Sequence, residues 1–220
     1  IIEADGLYWH SEQCVDKDYH FNKRKKYEEM GYKLLAFRED EISNKIEIIR
    51  SIIRHHLNLN EKIYGRKCNI EIIDKKQSKS FLDENHLMGN GCGISFGLKT
   101  GDEIVGIMQI KRKNKNNYEI SRFCLKKNKD VIGGFSKLLK SVLNTLKPDS
   151  LITFVDLRYG KGDYLYKYGF IEGQENPSFK WISKAKTYHR LMFREKDGFP
   201  KIWDYGQKKF TLNCKNEKII

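Results

Sequence analysis

Residues 118–157 constrain the fold of this chain more than any other stretch. YEISRFCL has the composition of a strand, and a short polar connector follows it. Then comes VIGGFSKLLKSVLNTL, a helix with two glycines at its start and Pro148 just beyond its end, where a residue that cannot continue a helix belongs. LITFVDL completes the run as an apolar strand of the buried type. Strand, glycine start, helix, breaker and buried strand in so short a span point to an α/β fold.

The flanking chain reads in the same way. Residues 1–8 form a strand that turns at Asp5-Gly6, 17–30 (KDYHFNKRKKYEEM) are helical in composition, and Gly31 stands where a helix end favours a left-handed residue. YKLLAFR (32–38) alternates as a strand does. In the next helix Asn44 and Glu47 have the spacing of a capping box, and Ile42, Ile46, Ile49 and Ile53 make one apolar face. LNEKIYGRKC (59–68) reads as a connector. After it come a strand CNIEII, a short helix KSFLDENHL, a hairpin GISFGLKTGDEIVGIMQIKR turning at Thr100-Gly101-Asp102, a short helix DYLYKYGF and a strand FKWIS.

Lys and Arg number 42 against 29 Asp and Glu, a net charge of +13, which makes nucleic acid the leading partner class. Hydrophobic residues at 39% suffice for a packed core and exclude global disorder. The five cysteines, Cys14, Cys68, Cys92, Cys124 and Cys214, form no CxxC pair and read as free thiols of a reducing compartment. With no apolar run of membrane-span length and no signal peptide, a cytoplasmic location is expected. The chain has no initiator Met and begins inside a strand, so a fragment of a longer protein is expected.

The amino terminus carries a candidate catalytic cluster. Glu3 and Asp5 are two apart on a strand and share one face, where two carboxylates repel unless a cation or proton lies between them. Mg²⁺ or Mn²⁺ on such a pair would polarise a phosphodiester, and His10 or His20 would act as general acid or base. Glu39 and Asp40, at the end of the next strand, are candidates for the same site. A zinc site from His10, Cys14 and His20 is the alternative, with a spacing that fits no standard pattern.

IIEADGLYWHSE and DYHFNKRKKYEEMGYKLLAFREDEISNKIEIIRSIIRHHL resemble phage-type homing endonucleases, whose nuclease domain is similar to the very-short-patch repair endonucleases of the PD-(D/E)XK superfamily. The resemblance covers residues 1 to about 57. It implies that Glu3 and Asp5 are metal-site acids, that His10 and His20 replace the superfamily's lysine, and that Glu39 and Asp40 are its acidic pair. It also implies an earlier strand, upstream of Ile1, with a further acid that completes the metal site.

In the basic half, Gly133 and Gly134 let the backbone approach a ligand at a helix N-terminus, which favours an anion. With the strand order around it and DYLYKYGF downstream, this stretch looks like an acetyltransferase fold of the GNAT type, where such a turn holds the pyrophosphate of acetyl-CoA. The family's pattern is roughly Gln/Arg-x-x-Gly-x-Gly/Ala; here Asp130 takes the first position and Phe135 the last. KIYGRKCNIEII, FLDENHLMGN, ISRFCLKKN, FVDLRYGKGDYLYKYGF and KIWDYGQKKF also resemble the downstream half of the same endonucleases, a GNAT-like module.

Lys111, Arg112, Lys113, Lys115, Arg122, Lys126, Lys127 and Lys129 stand against Glu119 alone, and Arg158 and Lys161 form a second basic cluster. Both are candidate phosphate contacts on double-stranded DNA. Asp156 is a candidate base for transferase chemistry or a partner of Arg158.

The sequence thus predicts an α/β (α+β) chain. A partial PD-(D/E)XK-like nuclease unit (1–58) is followed by a linker (59–65), a GNAT-like mixed-sheet module (66–195) and a tail (196–220) that docks back through Ile202-Trp203. The expected activity is metal-dependent cleavage of double-stranded DNA in the cytoplasm of a bacterial or phage-infected cell. The alternatives are an acetyl-CoA-dependent acyltransferase and a DNA-binding protein with an inactive nuclease half.

Overall fold

A computed structural model describes residues 1–215. The chain forms two compact units, one of residues 1–46, 155–162 and 173–209, the other of 47–154, 163–172 and 210–220. The division differs from the contiguous one expected around a 59–65 linker. It falls inside helix α2 (Glu39–His56), between Ile46 and Glu47, one residue past a non-helical Lys45 (φ −138°, ψ 32°). Asn44, read as an N-cap, instead donates its side-chain amide to Asp40 O.

In the first unit, β1 (Ile2–Asp5) and β2 (Leu35–Arg38) pair in parallel, Ile2 opposite Leu35 and Asp5 opposite Arg38. Parallel neighbours need a crossover, and α1 (Tyr19–Glu29) supplies it. This helix has no apolar stripe; the residues it buries are His20 and Arg24, four apart and so on one face. Arg24 is 1% exposed and donates to Tyr205 O, Glu28 and Glu175. Leu34, Ala36 and Tyr205 form a buried cluster with Tyr27 against it. A three-stranded antiparallel sheet follows, with β11 (Phe179–Ser183) between β12 (Lys186–His189) and β13 (Lys201–Trp203). Ile202 is 1% exposed, so the segment read as a tail belongs to the fold.

The second unit is built on a seven-stranded sheet. Its antiparallel part runs β4 (Asn69–Ile73), β5 (Ile94–Thr100), β6 (Glu103–Asn114) and β7 (Asn117–Leu125). Beyond β7 the sheet turns parallel at β9 (Ser150–Asp156) and continues through β14 (Gln207–Asn213) to β10 (Ile171–Asn176). Leu98, Val105, Ile107, Met108 and Ile110 are almost fully buried, as residues of a central hairpin should be. α3 (Lys75–Asn85) is capped by Asp74, which accepts from the backbone N–H of Lys76 and Gln77, and packs Phe81 and Leu82 with Ile73, Ile107 and Cys124. α4 (Gly134–Leu146) is the crossover between β7 and β9. The supposed connector is structured. β3 (Glu61–Tyr64) pairs in parallel with β8 (Lys129–Ile132), and a 3-10 turn spans Gly65–Lys67. DYLYKYGF is likewise 3-10, over Asp163–Tyr168. No helix among the described residues is long and apolar enough to cross a membrane.

Candidate functional sites

The first unit concentrates its ionisable groups at the carboxyl end of β1. Asp5, the last residue of the strand, is 2% exposed. Its two carboxylate oxygens each accept from the Tyr205 hydroxyl at 3.1 Å, and the same hydroxyl lies 3.1 Å from Glu3. Lys23 closes on Glu3 at 2.8 Å. The chain then turns, with His10 N bonded to Gly6 O, and this brings His10 Nδ1 to 3.5 Å from Asp5. His20 enters from the first turn of α1, its Nε2 2.9 Å from His10 Nδ1 and the two rings stacked at 5.1 Å.

Burial dominates the electrostatics here. It pushes the Asp5 carboxyl above its ordinary value, against the pull of His10. It lowers His20 to about 3, helped by His10 and Arg38, so His20 is a neutral imidazole at ordinary pH. Tyr205 is held well above the usual phenol range by burial and then by Asp5 and Glu3, and remains a hydrogen-bond donor.

Of the six residues expected to be catalytic, four meet: Glu3, Asp5, His10 and His20. Glu39 and Asp40 do other work. Glu39 accepts from Leu7 N at 3.0 Å and holds the turn after β1, while Asp40 accepts from Thr187 N and Oγ1 at 2.8 and 2.6 Å. Tyr205 and Lys23 were missed from the sequence. Lys23 lies one helical turn after His20 and was readable on a helical wheel, but nothing in the sequence places Tyr205 beside β1.

A second polar cluster lies in the same unit. Arg158, 2% exposed, donates to Asp156 from Nε and Nη2 and to both oxygens of Glu41 from Nη1. Asp156 is therefore the partner of Arg158. Burial alone would raise Glu41, yet Arg158, Arg38 and Lys180 together bring it down to about 2. Arg158 is withdrawn from solvent and does not offer itself to a phosphate, contrary to the sequence expectation. Lys161 is 54% exposed and lies 3.7 Å from Glu28.

In the second unit, β7 and β9 pair only over their first halves, from Asn117 opposite Ser150 to Ile120 opposite Thr153. Beyond that point residues 121–125 of β7 keep their ladder with β6 on one edge and leave the other free of β9. The first turn of α4 stands beside this opening, where the Phe135 ring meets Phe123 of β7 at 5.1 Å and Tyr164 at 5.1 Å. Gly133 caps the helix in the left-handed region (φ 76°), and a Cβ built on it meets nothing within 4 Å. No acid lies in the first turn of α4. Phe135 is 8% exposed, its ring withdrawn into the interior. Asp130 turns aside to accept from His55 at 2.8 Å and Asn60 at 3.1 Å. The 3-10 turn packs so closely that a Cβ on Gly65 would lie 3.1 Å from Gly134 N, which brings the exposed Arg66 and Lys67 to the helix start.

The basic residues of the hairpin divide by environment. Lys111, Arg112, Lys113 and Lys115 are exposed at the β6–β7 end. Arg122 is partly buried and donates to Gly89 O and Ser121 O. Lys126 pairs with Glu103, Lys127 with Glu84, and Lys129 with Glu61 and Glu103.

No family model and no curated protein matches the chain. Among solved structures it is similar to a Bacillus subtilis acetyltransferase in complex with CoA, at 15% identity over 67% of this chain and 99% of that one, with a TM-score of 0.45. It is also similar to a GNAT family acetyltransferase from Elizabethkingia anophelis with acetyl-CoA bound (15%, 67% and 98%, TM-score 0.42) and to an aminoglycoside 6'-acetyltransferase type Ii (11%, 68% and 99%, TM-score 0.42).

These findings overturn the homing-endonuclease reading, and with it the hydrolase and phage expectations. Among the described residues β1 and β2 form a sheet of two strands, and Mg²⁺ or Mn²⁺ on Glu3 and Asp5 loses its basis. Lys23 already balances Glu3, and the Tyr205 hydroxyl lies between Glu3 and Asp5, so no cation is needed between the two carboxylates. What stands is a mixed α+β fold with one large mixed sheet.

Proposed function

We propose that the second unit binds acetyl-CoA and that the protein is an acyltransferase. The observation that carries this reading is the parting of β7 from β9 after Ile120 and Thr153, beside a helix that starts on Gly133-Gly134. In open sheets with parallel strands, ligands enter at the carboxyl ends of strands that diverge. The free edge of β7 offers backbone N–H and C=O groups, which need partners and would hold the amide-bearing arm of coenzyme A. The backbone from Gly133 into α4 would hold the diphosphate at the positive end of the helix, with Arg66 and Lys67 at hand. Gly133 leaves the approach open, and Asp130, engaged with His55 and Asn60, does not repel the anion. When bound, acetyl-CoA supplies a thioester whose acetyl group an acceptor nucleophile takes, releasing the thiol. The solved neighbours that carry CoA or acetyl-CoA agree with this reading.

Thermal unfolding tests it. A ligand that binds only the folded state raises the melting temperature, by about 2.7 kcal/mol of stability at a concentration about 100 times its Kd. Acetyl-CoA should raise the melting temperature of the wild type and leave Ser136→Asp unmoved. In that variant a carboxylate faces the same helix start; it favours the helix and repels a diphosphate, so loss of binding is separable from loss of fold. A wild-type melting temperature indifferent to millimolar acetyl-CoA sinks the reading.

We propose as a second property that Lys111, Arg112, Lys113 and Lys115 contact the phosphates of double-stranded DNA without reading sequence; their exposure and shared sign of charge support it.

A further inference from the structure

Asp5, His10 and His20 each direct a ligand atom at one point of the first unit, and these three atoms lie within 4.8 Å of one another. His10 Nδ1 and His20 Nε2 are 2.9 Å apart, and His10 Nδ1 is 3.5 Å from the Asp5 carboxylate. Three lone-pair atoms thus face each other where Asp5 and His20 are buried to 2% and 1% exposure. One proton on the His10 nitrogen serves one of the other two at a time, so it satisfies this convergence only in part. A divalent cation satisfies all three at once: two nitrogens 2.9 Å apart both reach an ion at about 2.1 Å, the ordinary zinc–imidazole distance.

We propose that Asp5, His10 and His20 form a binding site for a zinc-like transition-metal ion. Two imidazoles and one carboxylate are the donor set of zinc and its borderline neighbours, whereas Mg²⁺ asks for oxygen ligands in a near-octahedral shell. The groups around the three ligands suit the site. Tyr205 donates to both oxygens of Asp5 and so fixes the carboxylate's orientation, as groups behind metal ligands commonly do. Glu3 stays outside the ligand set because Lys23, at 2.8 Å, already balances its charge. Cys14, the sequence's candidate third ligand for zinc, is exposed and is not part of the cluster. Asp5 and His20 are the enclosed ligands, and His10, 21% exposed, marks the side open to solvent. Three protein ligands with an open fourth position are the arrangement in which zinc holds an activated water.

The test uses the whole chain, stripped with a chelator and titrated with Zn²⁺ by calorimetry, then with Co²⁺ by visible absorption. One equivalent of Zn²⁺ per chain is expected, with Co²⁺ giving the intense visible bands of a tetrahedral site. His10→Ala changes the most exposed of the three ligands and leaves the buried pair intact, and it should weaken Zn²⁺ binding by more than about 100-fold. Tyr205→Phe, which alters only the carboxylate's support, should weaken it about 10–100-fold. Cys14→Ser should bind as the wild type does. The proposal is overturned if the stripped wild type takes up no Zn²⁺ at micromolar concentration. It is equally overturned if His10→Ala binds with wild-type affinity, or if Cys14→Ser abolishes binding while His10→Ala retains it.

Discussion

The Tyr205 hydroxyl donates to the Asp5 carboxylate across 200 residues of chain, with both oxygens at 3.1 Å and both residues almost fully buried. Glu3 keeps Lys23 at 2.8 Å if that donor is removed, so the loss falls on the buried Asp5. Tyr205→Phe keeps the ring against His20, at 4.9 Å, and takes away only the hydroxyl. It should cost about 1–3 kcal/mol, the desolvation penalty of buried polar groups left unpaired. Urea unfolding at neutral pH measures this, and an unchanged midpoint would show that the hydroxyl contributes nothing.

Arg158 sets a larger stake. Its guanidinium lies between Asp156 and Glu41 and is itself 2% exposed. Arg158→Met takes from the buried Glu41 its closest cationic partner and leaves it Arg38 and Lys180 at 4.0 and 3.9 Å, at a cost of up to about 3–5 kcal/mol. Replacing the carboxylate as well removes the stranded charge, so Arg158→Met with Glu41→Leu should recover part of the loss. Additive losses in that double-mutant cycle would deny the coupling.

The sequence shows the second unit better than the first, for a physical reason. β7, α4 and β9 carry their apolar periodicity openly, and Gly133 and Pro148 punctuate them. β3 and β8, EKIY and KDVI, are four residues each and half charged, and they exist because they pair with each other, Glu61 opposite Lys129. Long-range pairing of that kind leaves no local pattern. α1 was found by composition, but its inward face is His20 and Arg24, residue types that on their own suggest a surface. The convergence of Asp5, His10 and His20 was legible as nearby chemistry, while the partners of Glu3 were not. Glu3 is engaged by Lys23 and shares the hydroxyl of Tyr205, which only the tertiary fold brings there.

Glu41 and Lys180 should shape the pH dependence of stability from opposite sides. Glu41 falls from an ordinary 4.5 to about 2 in the folded chain, where its burial is outweighed by Arg158 and its other cationic neighbours. Its contribution is complete above pH 4.5 and is lost as the pH falls from there through about 2. Lys180 is lowered from 10.5 to about 8 by burial and by Arg38 and Arg158. Between pH 8 and 10.5 the unfolded chain binds the extra proton, so the Lys180 contribution makes stability rise with pH there. Urea midpoints across pH should lose part of the acid fall in Glu41→Gln and the alkaline rise in Lys180→Met. Lys180→Met should also be the more stable protein at pH 7. An alkaline limb that survives in Lys180→Met would assign it to another group.

The hairpin end makes a prediction of a different kind, because its cations are free to exchange partners. Lys111 and Lys115 are exposed, and Lys113 makes a rim pairing with Glu119, at 3.0 Å. Each lysine that meets a phosphate releases a counterion and adds about 0.9 to the slope of log affinity against log salt. Replacing Lys111, Lys113 and Lys115 by Ala should therefore lower that slope by about 2–3 for duplex DNA, measured by fluorescence anisotropy. Stability should hardly change, since surface charges contribute little. Arg122→Ala should do the reverse. Its guanidinium is committed to Gly89 O at 3.0 Å and to Ser121 O at 2.6 Å, so its loss should weaken the fold around residue 89 and leave the salt slope as it was. A slope that drops with Arg122→Ala, and not with the three lysines, would move the DNA contact away from the hairpin end.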